Sequence, residues 1–294
     1  MGWFEERAGL EGTVAVITGG AGGLGLAIVE DLADNGVAVA VVDIDPDAVE
    51  ELTAALERRG ADGVVHHGDA RAPEVLGRLF AAVDERWGRV DTLVNVVGGT
   101  FQAPFVDTSP KGWDALVRTN LTHVLHACSL AVPRMHAGGR GGSIVNITTI
   151  EAHRAAPGFA VYSAAKAAVA QFSRTLAVEL GPDGIRVNNV APDIVPTPSS
   201  DRITSDSSSA GAALRLPGAA ELAVPMARLG RPSDVSGCVV FLASDLASYV
   251  TGTTLHPDGG TFASSGWFNW PGTGWANFAP SEVLEGLTRS EEPT

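Results

Sequence analysis

The stretch Tyr162-Ser163-Ala164-Ala165-Lys166 places a phenol and an ammonium four residues apart. On a helix that is about one turn, so the two groups share a face. A phenol of ordinary pKa, near 10, is a poor acid or base at neutral pH. A neighbouring ammonium favours the phenolate and brings the group toward the range that a carbonyl/alcohol interconversion requires. The alanines on both sides, Ala164-Ala165 and Ala167-Ala168, argue against a solvated face, which would carry more charge.

Working outward, Thr18-Gly19-Gly20-Ala21-Gly22-Gly23-Leu24-Gly25 lies far upstream, after the β-branched run Val14–Thr18. Gly19, Gly23 and Gly25 let the chain turn tightly, and a pyrophosphate can then approach the helix that begins near Leu24. Asp43 ends the second β-branched run, where a carboxylate can accept both adenosine ribose hydroxyls and repels a 2′-phosphate. No Lys or Arg occurs between Thr18 and Asp45, which favours NAD over NADP.

The glycine turn in its TGxxxGxG spacing, followed by Tyr162 and Lys166, resembles the short-chain dehydrogenase/reductase family. The resemblance extends from about Leu10 to Thr261, ending in Gly252-Thr253-Thr254-Leu255-His256-Pro257-Asp258-Gly259-Gly260. It implies a catalytic set of Asn120, Thr149, Tyr162 and Lys166. Thr149 stands where the family carries Ser, and supplies the same hydroxyl with an added methyl and a stiffer χ1. Asn120 is a poor helix former within a helical stretch, and its backbone carbonyl is expected to hold a water on the lysine. Lys166 is expected to hold the nicotinamide ribose as well as to shift Tyr162.

The resemblance implies further cofactor contacts. Asp69 and Ala70 follow the third strand, where the family meets the adenine. Asn95 and Gly98 follow the fourth, with Val96 and Val97 replacing the usual Asn and Ala. Pro192, Val195 and Thr197 match the run that binds the carboxamide, but Asp193 replaces its glycine. A positive φ at that position would be tolerated better by Asp than by most residues.

Short β-branched runs alternate with helical patterns at about 24–35, 46–59, 73–87, 111–136, 159–180 and 232–244. The alternation predicts an α/β fold, a Rossmann-type doubly wound parallel sheet of about seven strands in three layers. Val37-Ala38-Val39-Ala40-Val41-Val42 is apolar without alternation, as burial on both faces demands. The expected organisation is a lead over 1–9, one dinucleotide-binding domain over 10–261 with a lid at about 193–224, and an aromatic extension over 262–294.

Composition limits the alternatives. Of 294 residues 45% are hydrophobic and 18% charged, with a net charge of −14. A sizeable core is therefore affordable, and neither nucleic acid nor an anionic membrane is an expected partner. With two cysteines no disulfide framework is expected. No metal site is expected either. The N-terminus lacks the basic and long apolar regions of a signal peptide, so a cytoplasmic location is expected.

The expected activity is hydride transfer between NAD(H) and a secondary alcohol or ketone of medium size and largely apolar character. Glu151 and His153 are candidate substrate contacts. A 3-oxoacyl thioester reductase and a catalytically silent NAD-binding subunit are the alternatives. Trp267, Phe268, Trp270, Trp275 and Phe278 carry too much apolar surface to stay wet, so a homo-oligomer, a tetramer or a dimer, is expected.

Overall fold

The computed structural model describes residues 2–198 and 216–289. Most of the segment expected to form a lid, and the last five residues, lie outside the described residues.

Seven parallel strands form the main sheet: β1 Val14–Thr18, β2 Ala38–Asp43, β3 Gly63–His67, β4 Thr92–Asn95, β5 Gly142–Ile147, β6 Ile185–Val190 and β7 Thr254–Leu255. Their order is β3-β2-β1-β4-β5-β6-β7. The connections reverse direction between β1 and β4. Such a switch point opens a crevice at the carboxyl ends of the strands.

The helices are α1 Trp3–Ala8, α2 Gly23–Asp34, α3 Pro46–Arg59, α4 Pro73–Arg86, α5 Pro110–Val117, α6 His123–Gly138, α7 Ala160–Leu180, α8 Ala219–Ala223, α9 Pro232–Ala243, α10 Thr261–Ser264 and α11 Ser281–Arg289. Local signals explain several ends. Asp45 caps α3 by accepting from the amides of Asp47 and Ala48, Pro46 opens the helix, and Gly60 closes it with φ 64°.

The unbroken apolar strands serve two cores. Val14 and Val16 of β1 join Ala40 and Val42 of β2 with Phe80, Ala127 and Met135 on one face. Ala15 and Ile17 join Val39 and Val41 with Ile28, Leu32 and Val239 on the other. This is the three-layer doubly wound fold that the alternation implied.

Three local features depart from the expectations. The helical stretch 111–136 is divided into α5 and α6 by a π-helical segment, Arg118–Thr122. The lead is helical, and Ala8 at its end is buried in the core. The C-terminal extension forms an antiparallel hairpin, β8 Phe268–Trp270 with β9 Gly274–Ala276. Among the described residues no helix is long and apolar enough to cross a membrane.

Candidate active site

The carboxyl ends of β1 to β4 border a cleft of about 400 Å³, lined in part by Gly19, Asp43, Asp69, Ala70 and Gly98. Gly19 turns with φ 73° and Gly23 with φ 54°, and the first turn of α2 begins with Gly23 and Leu24. Gly25 permits a close approach instead: a Cβ there would stand 1.9 Å from the Gly19 carbonyl oxygen. Asp43 ties the turn to β2, because its carboxylate accepts from the Ala21 amide at 2.9 Å and the Asp45 amide at 3.2 Å. Thr197 lies against Gly23, within 3.4 Å of where a Cβ would be. Pro192 precedes it, and Val195 is buried in the core. A bare backbone turn at a helix N-terminus with a carboxylate beside it matches the pyrophosphate and ribose of a dinucleotide.

One cleft residue escapes sequence reasoning. Arg71 lines the cleft and is held by Asp69, with Nη2 2.8 Å from Oδ2. That hydrogen bond keeps the Asp69 carboxyl below the ordinary carboxylate range. Phe101 forms part of the opposite wall. The stretch from Thr18 to Asp45 holds no basic residue, and Arg71 arrives from the loop after β3.

Asn95 does not face the cleft. Its side chain is 1% exposed, and its Nδ2 donates to Asn146 Oδ1 at 2.8 Å. Asn146 donates to Ser173 Oγ at 2.9 Å, and Ser173 to Asn189 Oδ1 at 2.7 Å. A buried polar row thus crosses β4, β5 and β6, with only the Asn95 Oδ1 at its end left without a partner among the described residues.

Asn120 is fully buried in the π-helical segment, a geometry common at functional positions. Its Nδ2 donates to the carbonyls of Gly99 at 2.8 Å and Leu116 at 2.9 Å, and its Oδ1 accepts from the Gly99 amide at 3.2 Å. The side chain therefore ties the loop after β4 to the helix. A Cβ on Gly98 would meet both Lys166 Nζ at 3.2 Å and Asn120 Oδ1 at 3.3 Å. That glycine is the space in which the two polar groups meet.

Lys166 is buried, and its Nζ donates to the Ile147 carbonyl at 2.8 Å. Burial pushes its pKa down to about 8. Burial pushes the Tyr162 phenol up to about 12; the Glu151 carboxylate acts in the same direction and the Thr149 hydroxyl opposes it. The expected lowering of the phenol by the lysine is thus absent from this arrangement. Desolvation and the Glu151 carboxylate raise the phenol, and the ammonium is turned to a backbone carbonyl. Burial, aided by the Lys166 charge, also drives His123 down to about 3.

The Thr149 hydroxyl donates to the Glu151 carboxylate. Arg154 bridges Glu151 Oε1 at 3.1 Å and Asp193 Oδ1 at 3.3 Å, and Asp193 accepts from Thr261 Oγ1 at 2.6 Å. Asp193 is not among the positive-φ residues, so backbone geometry does not explain it. Its role is to hold Arg154 and the start of α10. His153 packs at 4.9 Å from His256 and 5.9 Å from Phe262, and burial lowers its pKa. Its ring belongs to an aromatic cluster rather than to the Thr149 hydrogen bond.

A family model described as Enoyl-(Acyl carrier protein) reductase matches residues 19–261. The 3-oxoacyl-[acyl-carrier-protein] reductase FabG of Haemophilus influenzae is 35% identical, over 87% of this chain and 100% of its own. The 3beta-hydroxysteroid dehydrogenase 1 of Eggerthella lenta is 34% identical, over 85% of this chain and 94% of its own. Among solved structures, a gluconate 5-dehydrogenase from Burkholderia cenocepacia in complex with NADP and tartrate superposes with a TM-score of 0.79 at 29% identity, covering 88% and 98% of the two chains. The chain belongs to the short-chain dehydrogenase/reductase family. It is an oxidoreductase acting on CH–OH groups with a nicotinamide cofactor.

Proposed function

We propose that this enzyme interconverts a secondary alcohol and its ketone with NAD(H). The observation that carries the cofactor choice is Asp43, whose carboxylate stands at the mouth of the glycine turn, bonded to the Ala21 amide. A 2′-phosphate brought there meets a negative charge, and the nearby guanidinium of Arg71 is already paired with Asp69. When bound, the nicotinamide supplies or accepts the hydride.

The protein's own groups do the rest. Tyr162 exchanges a proton with the substrate oxygen. Thr149 orients that oxygen, which limits the reaction to bound geometries that suit the phenol. Lys166 holds positive charge beside the phenol when protonated, and Asn120 fixes the loop and helix that frame the lysine. Phe101, Val97 and Leu116 give the cofactor cleft apolar walls.

The 3-oxoacyl thioester reading draws support from the similarity to FabG. A net charge of −14 opposes it, because an acyl carrier docks best on a basic patch. We place the catalytic domain at 10–261, with 1–9 as a lead and 262–294 as an extension that packs at or across a subunit interface of a homo-oligomer. Turnover of NAD and of NADP with a panel of secondary alcohols, each against a Tyr162→Phe control, tests this reading. Preference for NADP, or turnover of 3-oxoacyl thioesters alone, would replace it.

A further inference from the structure

We propose that Glu151 determines substrate specificity: it accepts the Thr149 hydrogen bond until a second substrate hydroxyl, on the carbon next to the reacting one, donates to it in place of Thr149. The inference rests on the reading that Thr149 and Tyr162 hold the reacting oxygen. It narrows the substrate class to vicinal diols and the corresponding α-hydroxy ketones.

A hydroxyl can donate one hydrogen bond, and Thr149 donates it to the Glu151 carboxylate. A ketone oxygen reaching Thr149 would find lone pairs where it needs a donor. The carboxylate would also oppose negative charge growing on that oxygen, as it already opposes charge on the Tyr162 phenol. A simple alcohol or ketone is therefore held by the phenol alone.

A neighbouring hydroxyl resolves the conflict. It donates to Glu151, the Thr149 hydroxyl turns to the reacting oxygen, and every donor is matched. The spacing follows from the contact itself. Thr149 and Glu151 touch, so two oxygens served side by side can lie about one hydrogen-bond length apart, as oxygens on adjacent carbons do.

Glu151 is built in for this purpose and is not a free surface side chain. Its Oε1 is fixed by Arg154 at 3.1 Å, and Arg154 is fixed in turn by the buried Asp193. The oxygen that accepts from Thr149 is the other one, Oε2. The side chain is 21% exposed, which leaves it within reach of a ligand.

The reaction balances without another reagent. The carbinol carbon would give hydride to NAD, Tyr162, having first released its own proton to solvent, takes the hydroxyl proton, and the C–O bond becomes a carbonyl. The second hydroxyl keeps its O–H bond throughout, so diol and NAD become α-hydroxy ketone, NADH and a proton.

Wild-type enzyme is assayed with NAD on matched pairs: butan-2-ol and butane-2,3-diol, cyclohexanol and cyclohexane-1,2-diol, 1-phenylethanol and 1-phenylethane-1,2-diol. At least one diol should exceed its partner in kcat/KM by about tenfold, the scale of one hydrogen bond to a charged group. Glu151→Gln and Glu151→Leu should lower kcat/KM for that diol and raise it for the mono-alcohol, shrinking the ratio to about threefold or less. Thermal melts confirm that each variant folds. Turnover of mono-alcohols with no diol preference in the wild type overturns the inference and leaves the hydride-transfer reading standing. Failure of both classes while NAD still binds overturns both.

Discussion

The Lys166 ammonium donates to the main-chain carbonyl of Ile147 at 2.8 Å, across 19 residues of sequence. This contact joins α7 to the end of β5, and burial there brings the ammonium down from 10.5 to about 8. Below pH 8 the folded and unfolded chains both carry the proton, and the fold bears the full cost of a buried charge. Between 8 and 10.5 only the unfolded chain keeps it, so stability rises with pH across that window. A fall of this size corresponds to about 3 kcal/mol.

Lys166→Met removes the charge and with it the pH dependence. We expect an inactive protein whose stability advantage over wild type shrinks by about 3 kcal/mol between pH 8 and pH 10.5. Urea denaturation at a series of pH values measures it. Parallel curves for the two proteins would show that the lysine is not desolvated as described.

The cofactor cradle makes a sharper steric demand at Gly25. An added Cβ would stand 1.9 Å from the Gly19 oxygen and 2.8 Å from the Gly20 Cα, and both are backbone atoms with nowhere to go. Gly25→Ala should weaken NAD binding by about a hundredfold or more, roughly 3 kcal/mol. Gly237 in α9 has open space at the same test, and Gly237→Ala should stabilise by about 0.5–1 kcal/mol. Titration calorimetry and thermal melts read both. NAD binding by Gly25→Ala at wild-type strength would contradict the cradle.

Asp43 should set the choice of cofactor. We expect NAD to bind at least about tenfold more tightly than NADP, or about 1.4 kcal/mol, and Asp43→Ser to narrow that ratio. Because Asp43 also holds the Ala21 amide, the variant should lose affinity for both cofactors. Equal affinities in the wild type would sink the assignment.

What could be read in the sequence follows what is local. Apolar runs such as Val39–Val42 announce strands covered on both faces, and the expected sheet of about seven strands has seven. Gly19, Gly23 and Gly25 announce the cradle because only glycine meets those backbone demands. The break at Asn120 has a local signal, a poor helix former inside a helical stretch, but its π geometry depends on the Gly99 backbone it holds. Arg71, the Thr149–Glu151 bond and the Arg154–Asp193–Thr261 chain depend on loops that meet only in the fold. The C-terminal hairpin was not expected, although Trp270-Pro271-Gly272-Thr273-Gly274-Trp275 carries a Pro-Gly turn between aromatic residues.

That hairpin remains half wet. Trp275 is 45% exposed and Phe278 76%, although Phe262 stacks on His256 at 4.9 Å. Buried aromatics of this size hide about 150–250 Å² each, at about 25 cal/mol per Å². Ending the chain after Thr261 should lower the oligomer mass and raise KM for bulky substrates, with NAD affinity little changed. Light scattering and steady-state kinetics measure these. An unchanged mass and KM would make the extension a passive appendage.

The central claim is that Tyr162 carries the proton. Desolvation pushes its half-buried phenol up to about 12, so it holds its proton at neutral pH, and Phe keeps its shape without the hydroxyl. The most direct measurement is NAD binding and kcat for Tyr162→Phe beside the wild type. The account predicts nearly wild-type NAD affinity with kcat lower by about 10²-fold or more. A Tyr162→Phe enzyme that keeps its kcat would contradict it.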